Sequence, residues 1–217
     1  MTDTVVLVPM LGRAHLIGRL AVSIRETSDA AILWLTTPGD AEVADALDSD
    51  GEWRIEVDNH PLGDYARKIN TGIKATDHPL IFTGAIDLVF RPDWLEAALA
   101  ELRPGIGVVG TVDRCNRRTM RGEHATHMLV TRRYVEDFGT IDEPGKFFHE
   151  GYPHELVDDE AVATAKHRHA WAFARGSVVE HWHPMNGRAP MDESYAKQAQ
   201  RIAAGWPTFE KRRPLWT

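Results

Sequence analysis

The N-terminal half of this chain alternates short, unbroken apolar runs with segments whose apolar residues recur at helical spacing, and that alternation leaves few folds open. Val5, Val6, Leu7 and Val8 form a run stopped by Pro9, the pattern of a strand buried on both faces of a parallel sheet. Met10, Leu11 and Gly12 turn the chain, and from Arg13 the residues Leu16, Ile17, Leu20 and Ile24 keep helical spacing up to Ser28. Residues 31–35 repeat the buried-strand pattern, end in Thr36-Thr37-Pro38-Gly39-Asp40, and lead into a helix over 41–47. A shorter strand near 55–57, a helix over 64–74 carrying Ile69 and Ile73, and a strand over 79–82 complete the series. Strands alternating with helices predict an α/β fold with a mostly parallel central sheet and right-handed crossovers, whose ligand site lies at the C-terminal strand ends. Those ends are the loops after Val8, Leu35 and Phe82.

The second half is less regular. A helix over 94–102, introduced by Pro92 and ended by Pro104 and Gly105, precedes strands over 107–111 and 128–131 that flank an arginine-rich loop. Residues 139–159 are crowded with Gly, Pro, His and acids, which is loop composition and the usual place for function. A helix over 160–166, a strand over 177–179 and a helix over 193–204 follow, with no repeat or linker to mark a second domain. Subtracting 32 acidic from 25 basic residues leaves −7, which argues against coating nucleic acid or anionic membrane by bulk charge, so any basic contact is local. With 43% hydrophobic residues the chain can bury a substantial core, which excludes intrinsic disorder. A single cysteine, Cys115, makes no internal disulfide or Cys-type zinc site and suits a reducing cytoplasm. With no secretion signal and no apolar run approaching the roughly 18 residues that span a bilayer, the expectation is a soluble intracellular protein without a membrane partner.

Four groups of residues carry candidate chemistry. Glu180-His181-Trp182-His183-Pro184 follows a strand-like run, and histidines at i and i+2 on extended chain point to opposite faces, so one of the two is expected in a given site. Packing of a histidine against tryptophan is the alternative. Asp87 places a carboxylate at the end of the strand over 79–82, where a turn or capping role competes. His149 to Glu155, followed by Asp158-Asp159-Glu160, contains Gly and Pro between its histidines, which excludes the helical pair of a zinc protease. Three acids before a helix suit its N-terminal dipole, and one of them, partly desolvated so that its pKa rises, suits a general base; Asp158 is the favoured one. Arg114, Arg117, Arg118 and Arg121 offer forks for acceptor or phosphate oxygens, or are a solvated loop, and Lys211-Arg212-Arg213 reads as terminal docking or a solvated end. The Walker A, G-x-G-x-x-G and G-x-S-x-G motifs are absent.

Taken in order, these features over residues 5–184 resemble a GT-A glycosyltransferase of the family 2 type, especially the small actinobacterial and bacteriophage members. Pro9 with Gly12 and Arg13 looks like that family's P-x-x-x-R turn, Thr36 to Asp40 like its D-x-x-S-x-D loop, and Asn70 with Gly72 like its A-x-x-N-x-G helix. Gly139-Thr140-Ile141-Asp142-Glu143 is similar to its G-G-F-D-E turn, and Val157-Asp158-Asp159-Glu160 to its E-D-x-D segment. The D-x-D metal motif is represented by Gly84-Ala85-Ile86 followed by Asp87, with both aligned acids replaced.

The resemblance implies a single GT-A, Rossmann-like domain over 1–217 with helices on both faces of the sheet: a nucleotide-sugar-binding half over 1–104, an acceptor and catalytic half over 105–190, and a C-terminal helix and tail over 191–217. It assigns Pro9, Arg13, Thr36, Asp40, Lys68 and Asn70 to a nucleotide-diphosphate sugar donor, Asp87 and His183 to Mn²⁺ or Mg²⁺, and Asp158 to the base, with Asp159 and Glu160 as neighbouring alternatives. The implied reaction is inverting transfer of a hexosyl or pentosyl group to an acceptor hydroxyl on a protein, a glycan or a modified DNA base. It would take place in the cytoplasm, the host's if the chain is phage-encoded. The rival readings are a metal-dependent hydrolase using His181, His183, Asp87 and the acids over 149–160, and a catalytically weakened nucleotide-sugar-binding module.

Overall fold

The computed structural model describes residues 3–49, 51–59, 63–184 and 187–217. Among the described residues, eight strands form one sheet: β1 (Thr4–Pro9), β2 (Ala31–Thr36), β3 (Arg54–Glu56), β4 (Leu80–Thr83), β5 (Leu88–Phe90), β6 (Val108–Val112), β7 (Met128–Thr131) and β8 (Trp171–His181). Their order is β3-β2-β1-β4-β7-β6-β8-β5, with β1/β2, β2/β3, β1/β4 and β6/β8 parallel and β4/β7, β6/β7 and β5/β8 antiparallel. The principal helices are α1 (Ile17–Arg25), α2 (Ala41–Ser49), α3 (Tyr65–Lys74), α4 (Trp94–Leu99), α5 (Arg117–Met120), α6 (Arg132–Asp137), α7 (Val157–His167), α8 (Glu193–Ala196) and α9 (Gln198–Arg212).

The period-2 alternation of the strands sorts their side chains onto two cores. Val6, Val8, Ile32, Trp34 and Phe82 pack with Leu20 and Ile24 of α1, Leu47 of α2 and Trp94 of α4. Val5, Leu7, Leu33, Leu35 and Ile81 face the other way, onto Ile69 and Ile73 of α3, Val135 of α6 and Val162 of α7. Helices therefore cover both faces of a single α/β domain, as the continuous apolar runs predict.

The departures from the sequence reading matter for the site. β5 was not foreseen, and β8 runs eleven residues rather than three. Their antiparallel register pairs Leu88 with His181 and Phe90 with Val179, and Trp182 N–H donates to Asp87 O at 2.9 Å, so Asp87 is brought against the end of β8. The short helix α5 lies where the arginine-rich loop is expected, α6 follows directly on β7, and the C-terminal helix is two helices, the longer passing through Pro207. No helix among the described residues is long and apolar enough to cross a membrane.

Candidate functional site

A cleft of about 1010 Å³, counting the solvent at its mouth, opens at the C-terminal ends of β1 and β4, where a parallel sheet places its ligands. Pro9, Arg13, Lys68, Asp87, His127, Glu155, Asp158, His181, His183, Tyr195 and Arg201 are among the residues that line it. Two non-glycine residues at its edge hold left-handed backbone, Arg13 (φ 64°) directly after Gly12 (φ 64°), and Leu156 (φ 71°) before α7. Such conformations cost about 1–3 kcal/mol and persist where surrounding contacts hold a functional turn in place.

At one end the centre is Asp87, 4% exposed. Its Oδ2 accepts from Tyr195 O–H at 2.6 Å and Arg13 Nη1 at 3.1 Å, and lies 3.3 Å from His181 Nε2. Burial alone would push the Asp87 carboxyl up; His181, Tyr195 and Arg13 outweigh it and hold the group well below the usual carboxylate range. Burial likewise opposes charge on His181, and Asp87 reverses this and raises its pKa. His183 shifts the other way, lowered by burial and by His181, which favours its neutral imidazole. Both histidines line the cleft, which corrects the expectation that only one would. The strand ends at His181, and His183 N–H donates to His181 O at 3.0 Å in a tight turn that breaks the period-2 alternation. The two rings lie 5.4 Å apart.

Arg13 is clamped by the C-terminal segment. Its Nε and Nη2 each donate to Asp192 at 2.9 Å, and its guanidinium lies 3.9 Å from the centre of the Tyr195 ring. Lys68 donates to Thr37 Oγ1 at 2.6 Å and to Met10 O, and burial brings its pKa down to about 8. Pro9 lines the cleft, whereas Thr36, Asp40 and Asn70, also assigned to the donor, bond to the protein frame. Thr36 Oγ1 donates to Ile55 O at 3.2 Å, tying β2 to β3. Asp40 caps α2 through Val43 N–H (3.3 Å) and accepts from Gly12 N–H (2.8 Å), fixing the turn that carries Arg13. Asn70 is 1% exposed; its oxygen accepts from Phe147 and Phe148 N–H, and its amide donates to Phe148 O and Glu150, so it pins the loop leading to α7.

The replaced D-x-D acids have a packing reason. A Cβ at Gly84 would stand 2.7 Å from Leu7 O, where β1 and β4 approach, and Ile86 is buried in the core. Asp87 is the carboxylate that remains at this strand end.

At the other end Asp158 sits in the first turn of α7 and accepts from His124 Nε2 at 3.0 Å. The expectation that desolvation raises its pKa is corrected: burial does push it up, but His124 more than offsets this and the net direction is down. The raised acids are its neighbours. Burial and the Asp158 charge push Glu155 up to about 7 and also raise Asp159. His124 and Glu155 were missed as site residues; His124 lies in the arginine-rich stretch with no pattern to single it out, whereas Glu155 lay within the Gly/His/acid loop. Glu160 is corrected more strongly. It is 3% exposed and faces away from Asp158, accepting from Tyr152 O–H at 2.7 Å and from Arg212 Nη2 at 2.7 Å.

The arginine loop turns to protein carboxylates: Arg118 pairs with Asp159 at 2.8 Å, Arg114 lies 3.7 Å from Glu180 and Arg121 3.8 Å from Glu123. None of these, nor Arg117, lines the cleft. His124, Asp158 and Asp159 have the spacing of a metal group, and Arg118 pairs with Asp159 there at 2.8 Å.

The glycosyl transferase family 2 model matches residues 6–168. No curated protein sequence matches the chain. Among solved structures, a mannosyltransferase from Pyrobaculum calidifontis in complex with GDP-Man and Mn²⁺ superposes with a TM-score of 0.66 at 15% identity, over 96% of this chain and 64% of that one. Glucosyl-3-phosphoglycerate synthase from Mycobacterium tuberculosis, in complex with Mn²⁺, UDP and glucosyl-3-phosphoglycerate, gives 0.63 at 16% identity, over 93% of this chain and 77% of that one. The chain thus spans less than two thirds of the mannosyltransferase's length. The matched segment takes in most of β1 and runs through α7, with Arg13, Lys68, Asp87 and Asp158 of the cleft, and the chain belongs to glycosyl transferase family 2.

Proposed function

We propose that this protein transfers a sugar from a nucleoside-diphosphate sugar to an acceptor hydroxyl with inversion at the anomeric carbon, Asp158 acting as general base. The observation that carries the reading is one cleft with two chemically distinct ends: Arg13, Lys68 and Asp87 at one, and Asp158 at the other. The cationic end suits a diphosphate, and the ionised carboxylate suits a hydroxyl nucleophile. In the transfer the acceptor oxygen bonds to the anomeric carbon as the bond from that carbon to the phosphate oxygen breaks. The hydroxyl proton passes to Asp158 and the electron pair leaves with the diphosphate, whose growing charge Arg13 and Lys68 stabilise. Attack opposite the leaving group inverts the centre.

A divalent cation, Mn²⁺ or Mg²⁺, would be held by Asp87, through the carboxylate oxygen that does not face Arg13 and Tyr195, and by the imidazole of His183, which lines the same cleft. Bound there, it would supply further neutralisation of the departing diphosphate. Asp192 holds Arg13 through two parallel hydrogen bonds as a phosphate would, so donor binding displaces this carboxylate. The reading carries with it a cytoplasmic place, the small actinobacterial and bacteriophage type, and an acceptor that is a protein, a glycan or a modified DNA base.

The test is calorimetric titration with UDP, GDP, UDP-glucose and GDP-mannose, each with Mn²⁺ and with chelator, followed by measurement of nucleoside diphosphate released without acceptor. Binding strengthened by Mn²⁺ with slow release is the expected result. Binding without release leaves a donor-binding module, for which the replaced D-x-D acids speak, and no binding of any of the four refutes the reading.

A further inference from the structure

The contact between His124 and Asp158 has no counterpart in the sequence reading, and its geometry is that of a charged group built to serve a reacting one. His124 is 3% exposed, and its Nε2 lies 3.0 Å from Asp158 Oδ2. Its Nδ1, buried and without a hydrogen bond, faces Asp159 Oδ1 at 3.7 Å. Asp158 lines the cleft while His124 stands behind it, out of reach of a ligand. Building on the transfer reaction above, we infer that His124 is the positioning residue of the general base: its N–H fixes one oxygen of Asp158, turns the other toward the acceptor hydroxyl, and keeps the carboxylate ionised.

Two alternatives for this cluster fail on chemistry. A metal ion held by His124, Asp158 and Asp159 would have to compete with the Arg118 guanidinium, which bonds Asp159 at 2.8 Å. A purely structural histidine needs no acceptor that lines the cleft. The groups facing the pair are Asp159 from α7, Arg118 from α5, His127 from β7, and Glu155 and Tyr65 across the cleft. Of these, Arg118 and Asp159 offset each other, and His127 is held neutral by burial with a pKa of about 4. Burial opposes charge on His124, yet the hydrogen bond and charge of Asp158 raise its pKa overall, so the contact favours an imidazolium beside a carboxylate.

The sign of the pH effect follows. With His124 in place, protonation of Asp158 is deferred to low pH. Remove the cation and burial acts unopposed, so the acidic limb of kcat/KM moves up. Glutamine at 124 keeps an N–H donor and loses the charge; phenylalanine loses both.

The experiment uses the full chain and whichever of UDP-glucose or GDP-mannose it hydrolyses, water serving as acceptor, with kcat/KM measured from about pH 4 to 9. For His124→Gln the expected result is an acidic limb displaced upward by at least about one pH unit, a tenfold change in proton affinity. Its KM should stay within about twofold and its alkaline plateau within a few-fold. For His124→Phe the plateau should also fall by about tenfold or more, because orientation is lost. An unmoved limb in His124→Gln, or a rise in KM with kcat unchanged, overturns the inference while leaving the transferase reading intact. In case the variants unfold, imidazole titration of the wild type by NMR gives a second readout. Asp158→Asn should lower the pKa of His124, and no change refutes the coupling. A wild-type protein that neither binds nor hydrolyses a nucleotide sugar brings down the transferase reading and this inference with it.

Discussion

Replacing Arg212 by methionine should unfold the C-terminal helix from the domain well before it touches the chemistry. Arg212 Nε lies 2.9 Å from Glu160 Oε2 and its Nη2 2.7 Å from Glu160 Oε1, with side-chain exposures of 9% and 4%. Two more bonds, at 2.9 and 2.7 Å, reach Asp142, whose side chain is half exposed. The Asp142 half is worth under about 1 kcal/mol, as for other exposed pairs. The Glu160 half decides the outcome: stripping one partner from a buried pair leaves an uncompensated charge and costs about 3–5 kcal/mol. Tyr152 O–H still donates to Glu160, which places the expected loss at the lower end of that range. At about 2–4 °C per kcal/mol for a chain of this size, the melting temperature falls by roughly 6–12 °C. Thermal unfolding followed by circular dichroism measures it, with urea titration as a check on the free energy. The double variant Arg212→Met with Glu160→Leu should recover at least half of the loss, since it removes the stranded charge. A single variant that melts within about 2 °C of wild type would show that Glu160 does not depend on Arg212, and would return Glu160 to the list of candidate bases.

Asp158→Asn should reduce release of nucleoside diphosphate by at least about a thousandfold while leaving nucleotide affinity within a few-fold in calorimetry, because the amide keeps shape and loses basicity. Lys68, with its pKa brought down to about 8, is cationic below that pH, so diphosphate affinity should weaken as pH rises through about 8; Lys68→Met should bind more weakly and lose this slope in the same titration. Tyr195→Phe frees Asp87 Oδ2 of its 2.6 Å hydrogen bond, and Mn²⁺ affinity measured with UDP or GDP present should rise by up to about tenfold; a fall would mean that the hydroxyl helps to hold the ligand.

The sequence by itself determined the layers of the fold and part of the site. Runs such as Val5 to Val8 and Ala31 to Leu35 are apolar on both faces because helices cover both, and this pattern pointed to the loops after Val8, Leu35 and Phe82, of which the first and last line the cleft while residues 36–40 do not. The order and spacing of segments from Pro9 to Arg13, Thr36 to Asp40, Asn70 to Gly72, Gly139 to Glu143 and Val157 to Glu160 suggested family 2, and the match over residues 6–168 bears that out. Tertiary structure decided what each polar side chain faces. Asn70 turned out to pin the loop at Phe147 and Phe148, and Glu160 to bind Arg212 from 52 positions away, because contacts between distant segments leave no trace in spacing. His124 became the partner of Asp158 only when α7 packed beside the loop after α5, and Asp87 met His181 only through the β5/β8 register. The direction of each pKa shift came last, since burial and neighbouring charge act with opposite signs and their balance depends on distances that the chain order does not set.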